Sequence, residues 1–348
     1  MSMVVYTSSR SMTDGQVSEL HARRALLPGG WASDVAIRIG PTGRIREVCV
    51  DVAATDGMDR VDTLLPGMPN AHSHAFQRAM AGRTEHNSPA DDSFWGWREA
   101  LYRFIDWLEP DDLRVIGRMA YLEMLEAGYT SVAEFHYLHR GRRREADVDC
   151  QTMAQLMLDA AQDVGIRISL LPTLYQFGGF GEKPATDGQL RFICSVNEFL
   201  DLLTQLQPRA SERVALGIAL HSLRAVSESG IQQVLDFRRT HDPMMPVHIH
   251  VAEQVREVED CVTWSGQRPV EWLLRRKLID ARWCLVHATH ISASEIAGIA
   301  ETGAVVALCP TTEANLGDGF FPLQQFLESG GRIAVGSDSQ VSISPVEE

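Results

Sequence analysis

The sequence lacks any apolar run of the ~18 residues that a membrane-spanning helix requires. Its opening residues, MSMVVYTSSRSMTDGQ, lack the apolar centre of a secretory signal. The six cysteines, at positions 49, 150, 194, 261, 284 and 309, include no CxxC pair and no compact disulfide pattern. Together these absences predict reduced thiols in a cytoplasmic protein with no membrane partner.

Positive charge is also scarce. The chain has 32 Lys and Arg against 46 Asp and Glu, which gives a formal net charge of −14. Nonspecific binding of nucleic acid needs clustered cations against the phosphates, so this balance argues against a general nucleic-acid binder. A small anionic substrate remains compatible with the charge, because a few arginines placed in one pocket can bind it.

No GxGxxG motif follows the first strand pattern, which disfavours a doubly wound dinucleotide-binding sheet, the alternative α/β fold. Instead, short apolar runs typical of buried strands alternate with helical patterns such as EPDDLRVIGRMAYLEMLEAG. The runs lie at residues 63–68, 129–135, 166–172, 214–220, 246–251, 283–288, 304–310 and 332–337. Eight buried strands separated by helices predict a parallel (β/α)8 barrel of the TIM type.

The predicted domain organisation has three parts. Residues 1–18 are expected to be a disordered extension, and residues 19–62, with short β segments and Pro-Gly turns, predict the N-terminal part of a small β-sandwich domain. Residues 63–348 are assigned to the barrel. Its eighth strand ends near Gly336 and the sequence ends at Glu348, so we expect the barrel to be truncated after strand 8, with its C-terminal part missing.

Most of the twelve histidines fall at the ends of predicted strands. Catalytic groups of parallel barrels stand at the carboxyl ends of the strands, so these side chains are expected to share one rim. The polar residues at that rim are His72 and His74, His136 and Tyr137, His221, His250 and Glu253, His287, and Asp338. In contrast, His139 and His290 are interpreted as surface residues.

Three imidazoles and one carboxylate at this rim are the ligands that a zinc-type ion prefers. His72 and His74 have the period of a strand, so they share a face and can chelate one ion. In the stretch HIHVAE, either His248 or His250 can be the third ligand; we prefer His250, since it lies nearer the strand end. His248 is interpreted as a core residue. Glu253, three residues beyond His250, is a candidate to move a proton between water and a leaving group.

These motifs resemble those of the amidohydrolase superfamily, in its mononuclear deaminase branch. NAHSH resembles the family's first-strand HxH, HIHVAE its fifth-strand His-x-x-Glu, LVHATH its sixth-strand His and GSDS its eighth-strand Asp. The resemblance implies the ligand set His72, His74, His250 and Asp338. The chain has no Lys at the end of the fourth strand to bridge a second ion, so one metal, Zn²⁺ or another divalent ion, is expected.

Within that branch the chain resembles the formimidoylglutamate deiminases from about residue 19 to the end. The stretches that carry the resemblance are NAHSHAFQRAMAGRTE, SFWGWREALYRF, AEFHYLHR, HSLRAV and CPTTEANLGDGFFPL. It implies hydrolysis of N-formimino-L-glutamate to N-formyl-L-glutamate and ammonia, in histidine degradation. It also implies that the catalytic residues are Glu253, His287 and Asp338, and that the substrate-binding residues are Gln77, Arg98, Tyr137, His221 and Arg224.

Several expectations remain open at this point. Gln340 stands where relatives usually carry His, which implies an indirect effect on the metal Asp at most. Family members commonly dimerise, so a homodimer is one expected assembly. The alternative functions are another mononuclear deaminase, acting on guanine, cytosine or a nucleoside derivative, and a truncated, inactive metal-binding barrel.

Overall fold

The computed structural model describes residues 18–83, 94–141 and 149–340. The predicted extension lies outside the described residues, apart from Ser18, and so do residues 341–348. The chain divides into two compact units, Met1–Met68 and Pro69–Glu348. Within the described ranges, no helix combines the length and apolarity needed to cross a bilayer.

The first unit contains a four-stranded sheet. Its strands are β1 (Ser18–Leu27), β2 (Gly30–Ile39), β3 (Ile45–Cys49) and β4 (Asp59–Leu64), in the spatial order β3-β2-β1-β4. A tight Pro-Gly turn joins β1 and β2 as an antiparallel hairpin, and β4 pairs with β1 in parallel. Alternating apolar side chains on one face form a small core of Leu20, Ala22, Ala25, Val35, Ile37 and Leu64.

The second unit is a parallel α/β barrel. Its strands are β5 (Met68–Ser73), β6 (Tyr129–His136), β7 (Arg167–Leu174), β8 (Val214–Leu216), β9 (Ile218–Leu220), β10 (Val247–Val251), β11 (Trp283–His287), β12 (Val305–Leu308) and β13 (Arg332–Val335). They follow one another around the sheet in chain order, and β8 and β9 both pair with β7. The predicted fold class is therefore confirmed.

Helices lie between the strands, as the alternating pattern predicts. They are α1 (Phe94–Ile105), α2 (Pro110–Glu126), α3 (Cys150–Val164), α4 (Val196–Leu206), α5 (Glu228–His241), α6 (Val255–Ser265), α7 (Pro269–Arg275), α8 (Ala293–Thr302), α9 (Pro310–Leu316) and α10 (Leu323–Glu328). Several begin at reciprocal capping boxes, for example Ser195 with Glu198 on α4. Their buried faces and the strands form one large core.

Two of the predicted strands differ from the structure by more than small shifts at their ends. The run 63–68 is not the first barrel strand: Leu64 ends β4 of the first sheet, Pro66 and Gly67 interrupt the chain, and β5 begins at Met68. His72 consequently lies within the strand and His74 directly after it. The run 214–220 is broken into β8 and β9 at Gly217, where a Cβ atom would collide with Leu171.

The barrel is joined where its last strand meets its first. The amide of Asp338 donates to the carbonyl of His72 over 2.9 Å, and the amide of His74 donates to the carbonyl of Asp338 over 3.0 Å. Beside these bonds, Asn70 donates from Nδ2 to Ser337 Oγ over 2.6 Å and accepts at Oδ1 from the Ser337 amide over 3.1 Å. We refer to these contacts as the seam; all five residues are buried.

The seam has no space for a side chain at Gly336. A Cβ atom there would lie 2.7 Å from His72 Cβ and 2.9 Å from the His72 backbone nitrogen and oxygen. We expect Gly336→Ala to destabilise the barrel by about 2 kcal/mol or more, since backbone cannot yield as a flexible side chain can. The melting temperature measured by circular dichroism should fall by roughly 4 °C.

The matched control is Gly29→Ala, because no atom lies within 4 Å of a Cβ built at Gly29. It should leave the melting temperature within about 1 °C of the original, as surface substitutions usually do. Equal melting temperatures for the two variants would show that the seam relaxes around the added methyl group.

Candidate active site

The predicted rim residues come together because parallel strands carry them to one end of the barrel. His72 lies in β5 and His74 just beyond it, Tyr137 follows β6, and His221 follows β9. His250 lies in β10, His287 ends β11, and Asp338 follows β13. The structure therefore collects these side chains from widely separated positions in the sequence into one buried group.

Three imidazole nitrogens converge on one point. The Nε2 atoms of His72 and His74 are 3.1 Å apart, those of His74 and His250 are 3.2 Å apart, and those of His250 and His72 are 3.1 Å apart. Asp338 Oδ1 lies 3.3 Å from the Nε2 atoms of both His72 and His74. Ligand atoms of a tetrahedral site with bonds of about 2.0–2.1 Å lie about 3.3–3.4 Å apart, so the four residues fit a divalent ion.

Hydrogen bonds also fix which ring nitrogens face this point. His74 Nδ1 donates to the carbonyl of Phe135 over 2.9 Å, and His250 Nδ1 donates to the carbonyl of His221 over 3.0 Å. In the neutral rings the Nε2 atoms therefore carry lone pairs directed at one another. Such an arrangement is repulsive without a cation between the rings and is the usual arrangement of metal-binding histidines.

The ionisation of these groups agrees with cation binding. Burial lowers the pKa of His72 to about 3, and the neighbouring rings add to this. Burial also lowers the pKa of His74 and of His250. For Asp338, burial favours the neutral acid, but the hydrogen bond to His72 and the surrounding imidazoles outweigh it and lower the pKa. The site thus offers three neutral nitrogens and one carboxylate.

Two further titratable side chains border this group. His287 Nε2 lies 3.8 Å from Glu253 Oε1 and 3.9 Å from Asp338 Oδ2. Burial raises the pKa of Glu253 to about 8, with Asp318 and Asp338 also raising it and His287 and Arg224 lowering it. Burial opposes the charged form of His287, but Glu253, Cys309 and Glu313 raise its pKa well above the usual value. Glu253 is thus suited to hold a proton near neutral pH.

A pocket of about 690 Å³ opens beside the group. All of the predicted substrate-binding residues line it, namely Gln77, Arg98, Tyr137, His221 and Arg224. Gln77 Nε2 donates to Tyr137 Oη over 2.7 Å, and the His221 and Tyr175 ring centroids are 4.3 Å apart. Two guanidinium groups beside an array of hydrogen-bonding groups can bind a ligand that carries two carboxylates.

The structure separates His248, His136 and His139 from the metal group. His248 is buried within β10, and both ring nitrogens of His136 are buried without a hydrogen-bond partner. The interpretation of His139 as a surface residue was wrong: it is fully buried and its Nε2 donates to the carbonyl of Thr173 over 2.6 Å. His290, interpreted in the same way, is partly buried and donates to the carbonyl of Asp318 over 2.7 Å.

Other residues that line the pocket were not identified from the sequence. Trp97, Leu101 and Tyr102 of α1 lie in the pocket wall, together with Tyr175 and Phe192. The signal for the first three was the aromatic stripe in SFWGWREALYRF, which is equally typical of a helix packed on a core. Arg98 lies over the Tyr102 ring, 5.7 Å from its centroid. The same helix therefore supplies a cation and part of an aromatic wall.

Gln340 is connected to the metal-binding strand. Its Nε2 donates to Ser73 Oγ over 2.7 Å, and Ser73 Oγ donates to Glu134 Oε2 over 2.8 Å. Glu134 Oε1 also accepts from the Ala75 amide over 2.8 Å. Ser73, which lies between the two histidines, and the Ala75 amide just beyond them are thus held by hydrogen bonds to Gln340 and Glu134. This contact is indirect, as the sequence implied.

Comparison with known proteins assigns the fold and the site to a family. A model of the amidohydrolase family matches residues 63–347, and a model described as the N-terminal domain of formimidoylglutamate deiminase HutF matches residues 17–62. The chain therefore belongs to the amidohydrolase family, whose members are metal-dependent hydrolases. It is a hydrolase that acts on carbon–nitrogen bonds.

The relatives narrow this class further. A formimidoylglutamate deiminase of Pseudomonas aeruginosa is 49% identical over 334 residues, 95% of this chain and 73% of that protein. A 5-methylthioadenosine/S-adenosylhomocysteine deaminase of Haloarcula marismortui is 28% identical, over 85% of this chain and 63% of that protein. The crystal structure of an amidohydrolase from Brucella melitensis superposes with a TM-score of 0.86 at 44% identity, covering 94% of this chain and 72% of that one. The resemblance to formimidoylglutamate deiminases is therefore confirmed.

The two histidines of β10 provide a direct test of the metal group. We expect His250→Ala to reduce bound zinc, measured by atomic absorption after dialysis, from about one ion per chain to near zero, because one of its four ligands is removed. His248→Ala removes a buried imidazole of the same strand that lies outside the group and should keep its zinc. Equal zinc content in the two variants would refute the assignment of His250 as a ligand.

Proposed function

We propose that this enzyme hydrolyses N-formimino-L-glutamate to N-formyl-L-glutamate and ammonia, in the degradation of histidine. The observation that carries the proposal is the joint placement of Arg98 and Arg224 in the pocket that opens onto the metal-binding group. A substrate with two carboxylates and one planar formimino group matches that arrangement. The 49% identical relative named for this activity supports the same substrate.

His72, His74, His250 and Asp338 would hold one Zn²⁺, although the same ligands also accept iron or manganese. Such an ion supplies Lewis-acid activation of water near neutral pH. The protein side chains contribute orientation and proton transfer. His287 and Asp338 are adjacent at the edge of the group, so His287 is placed to orient a water molecule by a hydrogen bond and Asp338 to accept its proton.

Hydrolysis forms a bond between the water oxygen and the formimino carbon and breaks a carbon–nitrogen bond, so the departing nitrogen must gain a proton. Glu253 is the group that would donate this proton. Its raised pKa keeps the carboxyl protonated at pH 7, and it lies 3.8 Å from His287 on the pocket side of the metal-binding group. The neutral acid can donate a hydrogen bond to the formimino nitrogen and then the proton that ammonia carries away.

The glutamate part of the substrate would be held by charge and by hydrogen bonds. The guanidinium groups of Arg98 and Arg224 would bind the two carboxylates, while Gln77, Tyr137 and His221 would complete the hydrogen bonds. This local positive charge explains how a protein with a net charge of −14 can take a dianionic substrate. The soluble substrate and six free cysteines fit the proposed cytoplasmic location, and a homodimer is the proposed assembly.

A second candidate is deamination of a nucleoside-type substrate. The aromatic side chains in the pocket wall, Trp97, Tyr102, Tyr175 and Phe192, favour it because bases stack on such rings. The relative from Haloarcula marismortui carries a deaminase name of this kind. Paired arginines favour the first candidate, since a neutral base has no carboxylate for them to bind.

Turnover of N-formimino-L-glutamate by the zinc-loaded protein tests the proposal, with ammonia release as the measurement and guanine, cytosine and adenosine as parallel substrates. We expect release from N-formimino-L-glutamate alone. Release only from a nucleobase or nucleoside would support the second candidate. No release from any substrate, with zinc bound, would support an inactive metal-binding barrel.

The two arginines should be required for affinity. We expect Arg98→Met and Arg224→Met each to lower kcat/KM for N-formimino-L-glutamate by about 10–100-fold, since each removes a hydrogen-bonded charge pair. Arg118→Met is the matched control, because Arg118 is an exposed residue of α2 outside the pocket. Full activity in both pocket variants would exclude the proposed substrate.

Glu253 should determine the alkaline limit of activity. With a pKa of about 8, its carboxyl loses its proton as the pH rises through that value, so kcat should fall above pH 8. Glu253→Gln removes the transferable proton but keeps the size of the side chain, and we expect kcat to fall by about 10²–10⁴-fold without the alkaline limb. An unchanged kcat in this variant would remove Glu253 from proton transfer.

A further inference from the structure

Glu313 is a buried carboxylate beside the candidate active site that the proposed mechanism does not use. Its Oε1 lies 3.2 Å from His287 Nδ1, and the same oxygen accepts from the Cys309 amide over 3.0 Å. Only 7% of the residue is exposed. One carboxylate oxygen therefore joins the end of β11 to the residue that follows β12.

The local sequence places this carboxylate without help from distant elements. Helix α9 begins at Pro310, directly after Cys309, and the Glu313 amide donates to the Cys309 carbonyl over 2.9 Å. The side chain then returns to the Cys309 amide, as glutamates near helix starts commonly do. The Asp318 amide donates to the Glu313 carbonyl over 2.9 Å and holds the other end of this short helix.

The backbone at His287 has an unusual conformation that contacts from neighbouring residues must hold in place. The backbone angle φ is +66° at His287 and +49° at Ala288. Both values lie in the left-handed region, which residues other than glycine rarely adopt. Backbone of this kind persists at functional sites only where surrounding contacts hold it. Nδ1 of the ring contacts Glu313, the Nε2 side faces Glu253 and Asp338, and the Cys309 side chain also bonds the ring.

We propose that Glu313 is a positioning residue for the reaction: its carboxylate accepts a hydrogen bond from Nδ1 of His287 and so holds the ring with Nε2 directed toward the water and the reacting carbon. A carboxylate can only accept, so Nδ1 of the ring must carry a proton. Without Glu313, the ring could rotate and turn Nε2 away from Glu253 and Asp338. This proposal rests on the proposed function, because it assigns His287 its part in that reaction.

Glu295 provides a matched comparison within the same barrel. It is buried as well, and it closes a capping box with Ser292 at the start of α8. Its oxygens accept from the Ser292 amide over 2.7 Å and from the Glu271 amide over 3.0 Å, and Arg268 pairs with it. It does not line the pocket, so it represents a capping glutamate with no role in positioning His287.

The kinetic test compares zinc-loaded Glu313→Ala, Glu313→Gln and Glu295→Ala. We expect Glu313→Ala to lower kcat by about 10–100-fold, as loss of a partner of an active-site imidazole commonly does. KM should change by less than about 3-fold, since His287 orients water and does not hold the substrate carboxylates. Glu313→Gln keeps an oxygen acceptor and should recover most of kcat. Glu295→Ala should lower the melting temperature and leave kcat unchanged.

A measurement that does not depend on turnover is the ¹⁵N–¹H spectrum of the histidine rings, with the His287 signals assigned by their loss in His287→Asn. We expect the Nδ1 proton of His287 to give a signal shifted by its hydrogen bond in the wild-type and Glu313→Gln proteins, and this signal to be lost in Glu313→Ala. An unchanged Nδ1 proton signal in Glu313→Ala, or an unchanged kcat, would overturn the proposal. If the wild-type protein releases no ammonia, the proposed function fails, and the Nδ1 proton signal still decides the role of Glu313.

Discussion

The candidate active site depends on the hydrogen bonds between the segment that follows the last barrel strand and the end of the first. Asp338 exchanges backbone hydrogen bonds with His72 and His74, so three of the four candidate metal ligands are joined by the main chain before any ion is considered. The fourth, His250, comes from the opposite part of the sheet and is oriented by the carbonyl of His221. Their convergence to within 3.1–3.3 Å is thus a property of the sheet and its loops. This explains why glycine is required at position 336, where the strands approach most closely.

A second layer of contacts holds these strand ends from behind. Gln340, Ser73 and Glu134 form a chain of hydrogen bonds between the segment after β13, the end of β5, and β6. Burial raises the pKa of Glu134 to about 7, while the hydrogen bonds from Ala75 and Ser73 oppose that rise. Glu313 performs a related task at β11 and β12. In both cases a buried carboxylate joins two segments of the chain by hydrogen bonds and so fixes the position of each relative to the other.

Much of the fold, and the meeting of the candidate ligands at one rim, could be predicted from the sequence for a definite reason. In a parallel barrel the position of a residue within its strand determines its height, so polar residues that end successive apolar runs must share a rim. The first barrel strand begins later than predicted, because Leu64 is apolar but packs in the core of the N-terminal sheet. The local pattern of apolar residues cannot show which of two sheets a residue belongs to. The choice of His250 over His248 followed from distance to the strand end, and the structure brings only His250 to the metal group.

Residues whose environment depends on tertiary contacts were harder to identify. Trp97 and Tyr102 have the spacing of core residues, and only the position of α1 above the barrel brings them to the pocket. Glu313 lies in a polar stretch that is typical of an exposed helix start, although the folded chain buries it against His287. His139 shows the same limit, since it follows a strand and precedes a basic run, yet it is fully buried. Burial of single polar residues is decided by packing between distant segments.

The seam also has a consequence for the order of events during synthesis. The candidate ligands lie between His72 and Asp338, and Asp338 joins the others only when the segment after β13 reaches the end of β5. A growing chain therefore cannot assemble the full ligand set until the residues after the last strand have left the ribosome, and contacts between such distant residues form slowly. An ion that binds all four side chains would then stabilise the closed arrangement over the open one.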